Sequence, residues 1–140
     1  MNEFQLSIDI HAPIGRVWDV TIDFERWPEW TPTVTRAKVR GKGSAGVGTL
    51  ITIYQPKLLP ALWRVTQFEP KRVIELQSGF PGLRVIALHN MAQRGEHTTL
   101  TLTIRFEGWM GRMLARRLAD LNNRYLALEA DGIRRYCEKG

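Results

Sequence analysis

A long helical pattern at the C-terminal end of the chain constrains the fold more than any other feature. From Gly111 to Glu138, apolar residues recur at spacings of three and four, while arginines fill the opposite side. The pattern predicts one continuous helix of about 28 residues, roughly 40 Å long, which is enough to cross a whole sheet. Its predicted apolar face comprises Met113, Leu114, Leu118, Leu121, Tyr125, Leu128 and Gly132.

Most of the chain before this helix has the pattern of β-strands. The segment FQLSIDIHA alternates apolar and polar residues from Phe4 to Ile10, which is typical of a strand with one buried face. Between Thr33 and Glu107, six further strand-like segments follow one another, separated by turn signals. Because short turns join antiparallel neighbours, these segments predict an antiparallel meander.

Two short helices are predicted between the first strand and the meander. Pro13 suits the first turn of a helix in PIGRVWDVTID. Pro28 disfavours a helix through Arg26 and Trp27, so FERWPEW is predicted to break the chain before a short second helix that Pro32 ends. A sheet with one apolar face must curl around another apolar element, and the only large one available is the C-terminal helix.

Three segments carry a resemblance to a known family. They are HAPIGRVWDVTIDFERWPEWTPTV (His11 to Val34), WRVTQFEPKRVIEL (Trp63 to Leu76) and FEGWMGRMLARRL (Phe106 to Leu118). Together they resemble the START-like or Bet v 1-like (SRPBCC) superfamily, in particular its bacterial polyketide cyclase/dehydrase-like branch. The resemblance covers essentially the whole chain and implies an α+β helix-grip fold. In that fold a seven-stranded curved antiparallel sheet wraps around the C-terminal helix, with two short helices after the first strand.

Composition fits a globular protein. With 140 residues, 44% of them apolar and 24% charged, the chain is expected to form a single domain over residues 1–140. A lone cysteine, Cys137, excludes an internal disulfide and a cysteine-rich metal site. The N-terminus lacks the pattern of a signal peptide, and no apolar run approaches the ~20 residues that cross a bilayer. We therefore expect a cytoplasmic protein with no transmembrane segment.

The net charge of +6 raises the question of anionic partners. The densest basic cluster lies in the C-terminal helix, where acidic residues interrupt it, so the solvated face of an amphipathic helix is the favoured interpretation. A weak contact with an anionic surface through these arginines stays open, and the diffuse charge predicts no specific nucleic-acid binding. Both a monomer and a homodimer are compatible with the sequence. The cluster comprises Arg112, Arg116, Arg117, Arg124, Arg134, Arg135 and Lys139.

The resemblance implies a cavity between the sheet and the long helix, and strand alternation predicts its lining. Side chains of Trp63, Leu76 and His89 should point inward if their charged neighbours point outward. The third strand is ambiguous. Its side chains that face the cavity could be Ile51 and Ile53, or Leu50, Thr52 and Tyr54. Methionines adapt to irregular ligands but also fill ordinary cores, and both interpretations stay open. The predicted pocket comprises Trp30, Trp63, Leu76, Phe80, His89, Met91, Ile104, Met110, Met113, Leu114, Leu118, Leu121 and Tyr125.

Two tryptophans in FERWPEW raise a separate question. A tryptophan can bury most of its ring while its N–H finds a partner at a wet edge. We expect Trp27 to anchor the helical pair in the core and Trp30 to lie nearer the cavity mouth. A structural role for both tryptophans is an equally good interpretation.

Support for catalysis is thin. His89 and Tyr54 are the weak catalytic candidates, because His11 and His97 are expected at the surface. No carboxylate is predicted to point inward, so no nucleophile, base and orienting group come together. The histidines and the cysteine show no metal-ligand spacing, and no cofactor is expected. GKGSAG spells a dinucleotide-binding motif but precedes a strand, where that motif does not function.

These observations predict intracellular binding of a small hydrophobic or amphipathic molecule, such as a lipid, quinone, polyketide or aromatic compound, in the cavity. The alternative is an aromatase/cyclase-type or dehydrase-type enzyme that uses the same cavity. A third possibility, which the resemblance to chaperone regulators allows, is a protein-interaction module.

Overall fold

The computed structural model describes residues 2–41 and 43–139 and contains seven strands and four helical segments. The strands form one antiparallel sheet in the order β1-β7-β6-β5-β4-β3-β2. This architecture confirms the predicted α+β helix-grip fold. In chain order the elements are β1 (Glu3–Ile10), α1 (Ile14–Ile22), a 3₁₀ helix (Phe24–Glu29), β2 (Arg36–Arg40), β3 (Leu50–Tyr54), β4 (Ala61–Glu69), β5 (Val73–Phe80), β6 (Leu83–Arg94), β7 (His97–Glu107), α2 (Gly111–Arg117) and α3 (Ala119–Glu138).

Strand alternation sets which side chains face the core. In β1 every second residue is exposed, as the sequence pattern predicts. The ambiguity in β3 is resolved by its register, because Ile51 pairs with Trp63 and is fully buried. Tyr54 therefore points to the outer face, where the Arg36 guanidinium lies 5.7 Å from the centre of its ring. Tyr54, one of the two candidate catalytic residues, therefore does not line the cavity.

The second short helix differs from the prediction in its position. It is a 3₁₀ helix over Phe24–Glu29, so it contains Pro28 and also the two residues before it. The prediction that the chain breaks through Arg26 and Trp27 is wrong, because the restriction before proline acts on the α region and a short 3₁₀ turn accommodates it.

The C-terminal helical region is two helices, not one. α2 ends at Arg117 and α3 begins at Ala119, because Leu118 has φ −104° and ψ 14°, outside the α-helical range. At the start of α2, a side chain on Gly111 would lie 3.0 Å from the backbone of Phe106, so glycine permits close packing against the end of β7. The buried face of α3 is formed by Leu126, Ala130, Ile133 and Cys137. In the described ranges, no helix is long and apolar enough to cross a membrane.

The glycine-rich segment connects two paired strands, β2 and β3, as expected. Gly41 and Gly43 have φ values of +88° and +107°, which glycine adopts at little cost. Lys42, which the motif includes, lies outside the described residues. No helix follows this segment to hold a pyrophosphate, so the dinucleotide-binding interpretation stays rejected.

Candidate ligand-binding cavity

A small, partly open cavity of about 90 Å³ lies between the concave face of the sheet and α3. Five of the residues predicted for the pocket line it: Trp63, Leu76, His89, Ile104 and Tyr125. The other lining residues are Trp27, Val34, Ile53, Gln55, Leu58, Ala87, Leu88, Leu102, Thr103, Asn122, Leu126 and Glu129.

The remaining predicted residues from the sheet and the helical pair lie elsewhere. Met91 is buried in the general core, so core filling is its role in this structure. Phe80 is 56% exposed at the tip of the β5–β6 hairpin, where it borders an open groove with Leu62. Trp30 borders a different groove, next to the C-terminal half of α3. Strand alternation places a side chain on a face but does not say how far along the strand the cavity extends.

Five predicted pocket residues come from the region of the helix break. Met113 is 48% exposed, and none of the five lines the cavity. The physical reason is Leu118, because the break lets α2 pack against the end of the sheet while α3 alone covers the cavity. These five residues are Met110, Met113, Leu114, Leu118 and Leu121.

Trp27 anchors the core as expected, but Trp27 and not Trp30 lines the cavity. Trp27 lines it, with its ring centre 5.7 Å from that of His89, and its Nε1–H donates to the Thr21 carbonyl at 3.0 Å. Trp30 packs beside it, with ring centres 5.9 Å apart, and its carbonyl faces Gly132 on α3. Trp27 is therefore both a core anchor and a cavity wall.

Three polar atoms in the cavity wall are buried without a hydrogen-bond partner among the described residues. They are Trp63 Nε1, His89 Nδ1 and Asn122 Nδ2. Buried polar atoms in native proteins are nearly always paired, so each of these atoms calls for an explanation. Three such atoms in the wall of one cavity indicate a binding site for a ligand with a polar group.

A carboxylate that the sequence analysis missed also lines the cavity. Asn122, Tyr125, Leu126 and Glu129 lie at spacings of three and four on one face of α3, about 10 Å long. The signal was present in the sequence, because Glu129 follows Tyr125 by one helical turn and Tyr125 was expected to point inward. A carboxylate on a helix usually lies in solvent, and Glu129 was therefore not expected to line the cavity.

Burial shifts the protonation of two groups in opposite directions. It raises the pKa of Glu129 to about 7, although a hydrogen bond from Thr33 Oγ1 at 3.1 Å favours the ionised form. It lowers the pKa of His89 to about 4, so that the imidazole is neutral at pH 7. The cavity therefore holds a neutral base and a carboxyl group poised between its two forms near neutral pH.

The β3–β4 loop closes one side of the cavity. The Tyr125 hydroxyl donates a hydrogen bond to the Pro56 carbonyl in this loop, and burial raises the pKa of that hydroxyl. Leu58 lines the cavity from the same loop, and Leu59 beside it is 88% exposed. A loop that is tied down by one hydrogen bond and carries exposed leucines is the part of the wall most easily displaced.

Charged side chains contribute little else to the cavity. Arg134 and Arg135 on α3 both form ion pairs with Asp131 on the same helix, while Arg112 and Arg116 are exposed on α2. Within residues 2–41 and 43–139, no three histidine, cysteine, aspartate or glutamate side chains converge where they could hold a metal ion.

Comparison with known proteins agrees with this architecture. Residues 1–138 match the protein family described as polyketide cyclase/dehydrase and lipid transport. No curated protein matches the chain.

Several solved structures share the fold. A START superfamily protein from Mycobacterium smegmatis is 15% identical, with a TM-score of 0.72 over 96% of this chain and 97% of that chain. A point mutant of norcoclaurine synthase from Thalictrum, in complex with a transition-state analogue, is 13% identical, with a TM-score of 0.75 over 98% and 94%. Ara h 8.0201 is 14% identical, with a TM-score of 0.74 over 99% and 98%. At such identities the likeness shows the fold alone.

Proposed function

Because the chain belongs to the polyketide cyclase/dehydrase and lipid transport family, within the START-like/Bet v 1-like superfamily, we propose that it binds a small hydrophobic or amphipathic molecule in the cavity under α3. The observation that carries this proposal is the composition of the cavity wall. Aliphatic and aromatic side chains form most of it, and a few buried polar atoms without partners interrupt them. Ligand pockets typically combine an apolar lining with a few polar groups that fix orientation.

The size of the cavity limits what fits without movement. Its volume of about 90 Å³ is well below the ~300–1,000 Å³ typical of ligand pockets. The closed form therefore suits at most a molecule of about one ring. A larger ligand requires displacement of the β3–β4 loop and release of the hydrogen bond between Tyr125 and Pro56.

A cavity-filling substitution tests the proposal. Ala87 lines the cavity from β6, so Ala87→Phe places a phenyl ring in it, whereas Ala92→Phe makes the same change on the outer face of the same strand. We expect the uncharged fluorescent probe N-phenyl-1-naphthylamine to bind the unmodified protein and the Ala92→Phe variant, and to lose its binding in Ala87→Phe. The smaller Ala87→Val change should weaken binding partially and covers the case in which the phenyl variant does not fold. Equal binding by all four proteins would place the probe outside the cavity.

A second candidate function is an enzyme of dehydrase or cyclase type, and Glu129 is the observation that favours it. A carboxyl group with a pKa of about 7 exchanges a proton readily at neutral pH, and the neutral His89 shares its cavity. In a dehydration, the Glu129 carboxylate would take the proton next to a carbonyl group, and the resulting carboxyl would give that proton to the departing hydroxide to form water.

This second candidate is testable with a simple β-hydroxy ketone. Conversion of 3-hydroxy-1-phenylpropan-1-one to its conjugated enone, followed by absorbance, should be lost in Glu129→Gln and retained in Glu96→Gln, which changes an exposed turn residue. A His89→Ala variant would show whether the imidazole takes part. Turnover that survives in Glu129→Gln would remove this carboxyl group from the mechanism.

A further inference from the structure

The polar atoms without partners define the chemistry of the ligand more closely than the family does. We infer that the cavity binds an uncharged aromatic carbonyl compound whose oxygen accepts hydrogen bonds from Trp63 Nε1 and Asn122 Nδ2. This inference rests on the proposed binding function and narrows it to one ligand class.

The two unpaired donors fix the direction of the hydrogen bonds to a ligand. An indole N–H and an amide NH₂ can only donate, so the group that satisfies Trp63 and Asn122 must be an acceptor. The Tyr125 hydroxyl on the same face of α3 already donates to Pro56, so its hydrogen is engaged. Donors left without acceptors inside the protein destabilise the empty state, and an oxygen acceptor on a ligand would remove this cost.

The charges of the cavity wall favour an uncharged ligand. Among the described residues that line the cavity there is no lysine or arginine, and the partly buried Glu129 supplies a negative charge when it ionises. A carboxylate or phosphate ligand would therefore enter a low-dielectric site without a cation and beside a carboxyl group. His89 cannot supply the missing cation near neutral pH, since burial keeps its imidazole neutral. An uncharged acceptor such as a ketone meets the hydrogen-bonding need without this cost.

The shape of the cavity wall favours an aromatic ring. Val65 is in register with Leu76 and Leu76 with Ala87, so an apolar row crosses the sheet between Trp63 on one side and His89 on the other. Aromatic rings line both ends, since Trp27 packs against His89 at the far end. An aromatic ring would lie over the apolar row, with its carbonyl oxygen toward Trp63.

Acetophenone and ethylbenzene form a matched pair of probes, because they differ mainly in the carbonyl group. Titration of ¹⁵N-labelled protein with each probe reports dissociation constants and the indole N–H resonances together. We expect acetophenone to bind about tenfold more tightly than ethylbenzene, since the hydrocarbon leaves both donors unpaired. We also expect acetophenone, and not ethylbenzene, to shift the Trp63 indole N–H resonance downfield.

Two phenylalanine variants complete the test. Trp63→Phe keeps the aromatic ring and removes the N–H, so it should lose most of the preference for acetophenone while its affinity for ethylbenzene stays within about twofold. Trp30→Phe is the control, because Trp30 Nε1 is also buried without a partner among the described residues but does not line the cavity. Asn122→Leu should reduce the preference independently and serves if Trp63→Phe does not fold.

The outcomes separate this inference from the proposed function. Equal affinities for both probes, or a preference that survives in Trp63→Phe and Asn122→Leu, would overturn the inference and leave cavity binding intact. If neither probe binds, the inference is overturned. The test with N-phenyl-1-naphthylamine and Ala87→Phe then decides separately whether the cavity binds ligands at all.

Discussion

Replacement of Glu129 by glutamine should stabilise the protein at alkaline pH and have little effect at acidic pH. The carboxyl group has an ordinary pKa of 4.5, which we take for the unfolded chain, and a pKa of about 7 in the folded protein. Below pH 4.5 it is protonated in both states and contributes no pH dependence. As the pH rises from 4.5 through 7, the unfolded chain ionises first, so the folded state loses stability relative to it.

The magnitude follows from the two pKa values. At 1.36 kcal/mol per pKa unit, the difference between 4.5 and about 7 corresponds to about 3 kcal/mol lost by pH 8. Glutamine has nearly the same shape, accepts the hydrogen bond from Thr33 and carries no charge. The free energy of unfolding of Glu129→Gln should therefore equal that of the unmodified protein near pH 4 and exceed it by about 3 kcal/mol at pH 8.

Urea unfolding followed by circular dichroism at several pH values measures this difference directly. Glu96→Gln, in the exposed β6–β7 turn, is the control and should show the same difference from the unmodified protein at pH 4 and pH 8. A Glu129→Gln variant with a pH-independent difference would mean that the carboxyl group is solvated and that the cavity holds no group that exchanges a proton near neutral pH.

Three further predictions follow from individual contacts. When the pH is lowered from 7.5 to 4.5, the free energy of unfolding of His89→Gln should rise by about 2–3 kcal/mol relative to that of the unmodified protein. The unmodified protein loses this stability because the pKa of His89 is about 4 in the folded state and 6.5 in the unfolded chain; urea unfolding at both pH values checks this. Gly132→Ala should lower the melting temperature, since its methyl group would overlap the backbone carbonyl at the end of the 3₁₀ helix. Gly15→Ala in α1 should raise the melting temperature, because its methyl group has room and alanine favours the helix by roughly 0.5–1 kcal/mol. Equal changes of melting temperature in Gly132→Ala and Gly15→Ala would contradict this prediction. Tyr125→Phe removes the hydrogen bond to Pro56, worth about 1 kcal/mol, and should raise the rate of probe uptake about fivefold in stopped-flow fluorescence; an unchanged rate would mean that another part of the wall opens.

The fold could be predicted from the sequence because its signals are local and repeated. Alternation in β1 and β7 identifies strands with one buried face, and the short turns leave an antiparallel meander as the simple connection. The same alternation placed Trp63, Leu76 and His89 on the inner face, where they line the cavity. The period of two is strict, so an error in the side chain's direction is rare once the strand is recognised.

The helical side of the cavity could not be predicted in the same way. A helix has no strict two-sided alternation. A break at one residue also changes which way the side chains of the preceding helix, here α2, face. Nothing in the residue type of Leu118 signals the break, which packing of α2 against the end of β7 stabilises. Glu129 was missed for a different reason. It follows Tyr125 by one helical turn, but a carboxylate on a helix is expected in solvent, and its contact with Thr33 depends on how α3 packs.

The most direct test of the account is to locate a bound probe by NMR. Protein with ¹³C-labelled methyl groups would be saturated with acetophenone, and nuclear Overhauser effects from the ring protons of the probe to the protein would be recorded. Binding in the cavity predicts contacts with methyl groups of Leu76, Ile104 and Leu126, which line it. Contacts confined to Leu62 and Leu83, in the open groove beside Phe80, would contradict the account and place binding on the outside of the sheet.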